Sequence, residues 1–201
     1  MKKLAGVTGG IAIAAVAAAC SSTPATKSGT ETISGTESGQ PAATLLNSPN
    51  SNAQPVFQTF TYVGPVNTSA KNYKLPGNGN NAKTATDTFV TSVGNLTVTH
   101  TRTYQASNST EPTVVGQSGG VCTFALTEES GTFVTVPSKS TGQFKGATGH
   151  GTYTITLHIG AKLPAGKTTC NVADYGNNGP TAIAQGSSFT FKATGPLTVP
   201  S

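Results

Sequence analysis

The chain has 201 residues, a formal net charge of +5, only 9% charged residues, three cysteines and no tryptophan. The basic residues are scattered, with no cluster or aromatic stripe, which speaks against nucleic-acid binding. The few acids are scattered too, which leaves little material for a paired-carboxylate reaction.

Lys2 and Lys3 precede an apolar run from Leu4 to Ala19. A basic start followed by a short apolar stretch is the pattern of a secretory signal, and the run falls short of the roughly 20 residues that a spanning helix needs. Residues 1–19 are therefore expected to be a signal peptide. Their removal would take two lysines and lower the net charge from +5 to about +3. The junction Ala17-Ala18-Ala19-Cys20 resembles the lipobox of bacterial lipoproteins. The resemblance implies that Cys20 becomes the first residue and carries acyl chains. It departs from the family pattern at Ala17, where leucine is usual, and Ala17 with Ala19 also satisfies an ordinary signal-peptidase site. Simple secretion is the alternative.

Residues 20–54 form the expected tether: rich in Ser, Thr, Gly, Pro and Ala, with almost no large apolar side chain. Such a segment buries too little surface to offset its ordering entropy and is expected to be disordered. As a flexible coil it would span on the order of 30 Å.

Residues 55–201 are one domain, long enough for a core. No helical period occurs after the signal. Short alternating runs recur instead, between Gly, Asn and Pro. Val56–Val63 reads as the first strand, and Asn67–Lys83 as a turn-rich stretch. Asp87–Val93 and Asn95–Tyr104 read as a hairpin around Gly94. After a polar loop at 105–119, Val121–Glu128 and Gly131–Val136 read as two strands joined by a turn at Glu129-Ser130-Gly131. Ser187–Thr194 closes the set, with Leu197 and Val199 as an extension. Between them, Tyr153, Ile155, Leu157 and Ile159 alternate with threonines and His158, the period of two of a half-buried strand. That strand is fed by Gly142, Phe144, Gly146 and Gly149, a structural corner with Phe144 as its apolar plug. Seven or eight such strands predict an all-β fold, an antiparallel β-barrel, with a β-sandwich as the alternative. Closure would remove exposed edges.

An exported chain with three cysteines has one thiol to explain. Acylation of Cys20 leaves Cys122 and Cys170, which are expected to form a disulfide in an oxidising compartment; two free thiols or a metal site, for which spacing and partners are lacking, are the alternative. In Asn95–Tyr104, Leu96, Val98, His100, Arg102 and Tyr104 share one face. If that face points inward, His100, Arg102 and Tyr104 make a polar end to an apolar lumen; if not, the face turns outward at the strand's end. His150 and His158 lie about 26 Å apart along one strand, so they cannot share a metal, and no metal or cofactor is expected. No G-x-S-x-G nucleophile elbow occurs, and no catalytic residue is assigned.

The segment GQFKGATGHGTYTI resembles the barrel corner of allene oxide cyclase-like and dirigent-like proteins, carried by Gly142, Phe144, Gly146, Ala147, Thr148 and Gly149. The stretches NLTVTH, GGVCTFALTEESGTF and FTFKATGPLTV are similar to those of small exported β proteins of actinobacteria. The resemblance implies a β-barrel and maps no catalytic residue onto this chain. The functional expectation is a lipoprotein at the outer face of the cell membrane. It is held to the bilayer through Cys20 and presents a non-enzymatic barrel for binding or for interaction with an envelope component. The alternative is an isomerase or carrier of a small hydrophobic molecule in the barrel lumen.

Overall fold

A computed structural model of the chain describes residues 25–39, 43, 56–74, 83–106 and 110–201. Among these residues nine strands follow in order: β1 (Thr26–Ser38), β2 (Val56–Val63), β3 (Thr68–Lys74), β4 (Thr84–Thr91), β5 (Gly94–Gln105), β6 (Thr113–Ser118), β7 (Val121–Thr135), β8 (Thr148–Lys162) and β9 (Ser188–Pro200). They form one antiparallel sheet ordered β3-β2-β1-β9-β8-β7-β5-β4, with β6 added beside β7. The sheet is open and strongly curled, a half-barrel, so the barrel expectation holds in an unclosed form and the sandwich does not. The edge strands β3 and β4 come near each other without a shared ladder among the described residues.

The two faces follow from the period of two. Inward stand Phe60, Tyr62, Phe89, Leu96, Phe191 and Leu197, all buried. Their rings meet at centroid distances of 5.5 to 6.3 Å, in tilted and edge-on pairs that suit the aromatic quadrupole. Outward stand threonines in register: Thr36, Thr190, Thr156 and Thr127 lie opposite one another across β1, β9, β8 and β7. Hydroxyl pairs such as Thr88–Thr97 at 3.1 Å bridge neighbouring strands on this face.

The corner is built as expected. Gly142–Phe144 makes a single 3-10 turn, and the Phe144 ring is wholly buried against Tyr62, a burial that stabilises the fold by about 2–3 kcal/mol. Gly142 has φ 59°, and a side chain there would strike the Val93 carbonyl and Gly94 of the β4–β5 hairpin. Gly146 completes the turn and Gly149 lies inside β8. Curling needs glycine within the strands as well: the Tyr153 ring lies over Gly131, its neighbour across β7 and β8, where any Cβ would collide with it.

Four sequence expectations change. Thr26–Ser38, placed in the disordered tether, is β1, paired with β9 along its whole length and with β2 on its other side. Composition pointed to disorder, but the segment has an inward row of Glu31, Ile33, Gly35 and Glu37, and threonine suits an extended backbone. The two strands joined at Glu129-Ser130-Gly131 are one strand, β7, with a bulge between Thr127 and Glu129. The extra residue, Glu128, moves the inward set from Cys122, Phe124 and Leu126 to Glu129, Gly131 and Phe133. That break in alternation imitates a turn in the sequence. β6 lies within the loop expected at 105–119, and β3 within the turn-rich stretch after Asn67. Residues 1–24, including Cys20, and all of 40–55 except Ala43 lie outside the described residues.

Candidate functional site

On β5 the alternation that buries Leu96 and Val98 carries His100 and Arg102 to the same inner face. Asp87 stands diagonally across on β4, two residues before Phe89, and is almost fully buried. His100 Nδ1 lies 2.5 Å from Asp87 Oδ2. The Asp87 hydrogen bond raises the His100 proton affinity above its ordinary value; the charges of Asp87 and Glu129 act in the same direction, while burial and Arg102 oppose it. His100 Nε2 makes no hydrogen bond among the described residues.

The other half comes from β7 and β8. Tyr153 Oη donates to Glu129 Oε1 at 2.5 Å, and Arg102 lies 3.7 Å from Glu129 Oε2. The rings of His100 and Tyr153 meet edge-on at 5.4 Å, and Tyr153 stacks on Phe191 of the core. Burial, with the Glu129 hydrogen bond and charge, pushes the Tyr153 phenol far above its ordinary range, so it stays a proton donor. Burial likewise raises the Glu128 carboxyl, with Glu129 adding to it. The cluster thus alternates Asp87, His100, Tyr153, Glu129 and Arg102, and with His100 protonated its charges balance. Such pairing is what charges need at a half-buried position.

Of the sequence-predicted lumen residues, His100 and Arg102 come together and Tyr104 does not. A bulge between Arg102 and Tyr104 turns the strand over by one residue, leaving Tyr104 41% exposed. Tyr153 takes the place expected of it. Sequence reasoning had Tyr153 on the inward face of its strand but gave it no polar partner. Glu129 was hidden by the β7 bulge, and Asp87 by the distance along the chain. The alternation Asp87-x-Phe89 was the available signal for Asp87.

A second acid lies inside. Glu31 of β1 is 5% exposed; its Oε2 accepts from the Val66 amide in the β2–β3 turn, and its Oε1 is buried with no hydrogen bond among the described residues. Burial pushes its carboxyl up to about 7, against the Val66 hydrogen bond. Glu31 and Glu37 lie in the segment expected to be a tether, so composition offered no reason to place them inside.

Cys122 and Cys170 sit as a disulfide pair with Cα atoms 5.7 Å apart. The bridge fastens the loop after β8 over a small second core of Cys122, Phe124 and Ala161, and Gln117 of β6 holds the same loop through Thr168 and Cys170. Closing a loop of 48 residues stabilises the fold by about 4 kcal/mol in the chain-entropy model. Among the described residues no group of three or more His, Cys, Asp and Glu side chains is placed to hold a metal ion. Comparison with protein-family models, with curated proteins and with solved structures returns no match for this chain.

Proposed function

We propose that this chain is an exported protein, anchored to a membrane through acylated Cys20, whose half-barrel is a non-enzymatic module for binding at the cell envelope. The observation that carries the reading is the filled inner face: aromatic and aliphatic side chains occupy it, and its half-buried charges are engaged with one another. The pairing of Cys122 with Cys170 supports the anchor, because it leaves Cys20 as the odd thiol. Two acyl chains give stable attachment where one gives only reversible binding. The test is the intact mass of the protein from its native host. A chain starting at Cys20 with acyl chains attached is expected; an unmodified chain overturns the anchor.

A second reading, a carrier or isomerase of a small hydrophobic molecule, is favoured by one observation. Asp87 orients His100 and raises its basicity, while Nε2 is left without a protein partner among the described residues. That is the arrangement of a proton acceptor. Titration with a fluorescent fatty-acid analogue separates the two. The non-enzymatic module gives no saturable signal, whereas a lumen site gives one that His100→Ala abolishes.

A further inference from the structure

The position of β1 decides how such an anchored protein would stand. A disordered tether through residue 54 would have held the barrel well clear of the lipid. The structure instead begins β1 at Thr26, locked between β2 and β9. Five residues, 21–25, then separate Cys20 from the sheet, a reach of at most about 22 Å when fully extended. The end of the half-barrel from which β1 starts must lie close to the acyl chains.

That end has a definite composition. Thr26 pairs with Pro200, and Ser201 donates its amide to the Ala25 carbonyl. Thr148 pairs with Thr198 where β8 begins, and Gly146 of the corner touches Pro200. The β4–β5 hairpin tip packs on Thr141 and Gly142, and the β2–β3 turn reaches Gly29 through Pro65. Among the described side chains there, Lys27, Lys139 and Lys145 are exposed, and the nearby acid, Glu31, is buried. The exposed or half-exposed carboxylates Glu111, Glu128, Glu129 and Asp174 belong to β7 and the loops of the other end. Lysines within about a Debye length, near 10 Å, of an anionic bilayer are attracted to it.

We propose that the half-barrel stands directly on the membrane, with Lys27, Lys139 and Lys145 against anionic lipid headgroups and the disulfide-fastened loop pointing away. This inference rests on the anchored reading. It places the His100 cluster, toward the far part of β5, on the side open to the envelope.

Lysine footprinting tests it on the native acylated protein. The protein is reconstituted in phosphatidylglycerol vesicles or held in neutral detergent, then treated with a membrane-impermeant amine reagent and read by mass spectrometry. Labelling of Lys27, Lys139 and Lys145 is expected to slow by at least about three-fold in the vesicles, with Lys162 and Lys192 unchanged. Equal rates at both ends on acylated protein overturn the orientation alone. An unmodified Cys20 in the same spectra overturns the anchor and the orientation with it. Loss of the protection in phosphatidylcholine vesicles supports headgroup charge as its cause; protection that persists there overturns the role of the lysines.

Discussion

Two side chains shape how the interior responds to pH, and both make the fold less stable as pH rises, one by burial of a carboxyl and the other by loss of a charged partner. Glu31 is a carboxyl pushed up to about 7 from an ordinary value of 4.5 by burial. The folded state therefore holds a proton that the unfolded chain has released. Stability falls as pH rises from about 4.5 to about 7 and stays low above that, by roughly 3 kcal/mol. Glu31→Gln should raise the urea midpoint at pH 8 and flatten its dependence between pH 5 and 8; an unchanged profile would remove Glu31 from the account. His100 gains its partner in the folded state, so its contribution is full below its ordinary value and is lost as pH rises through the higher folded one. Asp87→Asn should lower the His100 titration midpoint, followed by its ring proton shifts in NMR. The acid was legible as a residue in each case, but its surroundings were not. Glu31 needed β1 to exist, and Asp87 needed the β4–β5 register.

At the scale of an element, the two β7 halves show how one inserted residue governs a face. Leu126 and Phe133 both point inward although seven positions separate them, an odd number that strict alternation forbids. Glu128 absorbs the difference as a bulge. Deleting Glu128 should therefore turn either Cys122, Phe124 and Leu126 or Glu129, Gly131 and Phe133 to the outside. We expect loss of the cooperative thermal transition in circular dichroism, whereas Glu128→Ala, which keeps the count, should retain it. Composition could not distinguish this bulge from a turn, because Glu-Glu-Ser-Gly is compatible with both. The same arithmetic at Thr103 sends Tyr104 outward and explains why the lumen face ended at Arg102.

For the whole molecule, β1 is the central piece: it pairs on both sides and joins β2 and β3 to the remainder of the sheet. A chain beginning at Ala25 should keep the thermal stability of one beginning at Cys20. A chain beginning at Gly39 should lose it and aggregate, since β2 and β9 would be left with bare edges. Size-exclusion chromatography and a melting curve on the two truncations check this. A stable monomer starting at Gly39 would return the segment to the role of a tether.

By itself the sequence determined the all-β class, the inward rows of most strands, the corner with its Phe144 plug and the Cys122–Cys170 pairing. These rest on local alternation, glycine chemistry and cysteine count, all of which can be read within a few residues. Only the tertiary structure decided that Thr26–Ser38 is a strand, that β7 is continuous, that the sheet remains open, and that Tyr153 and Glu129 join His100 instead of Tyr104. Each of these depends on register between strands far apart in the chain. A polar, threonine-rich segment becomes ordered only when neighbours on both sides supply the hydrogen bonds and the buried face that its own composition lacks.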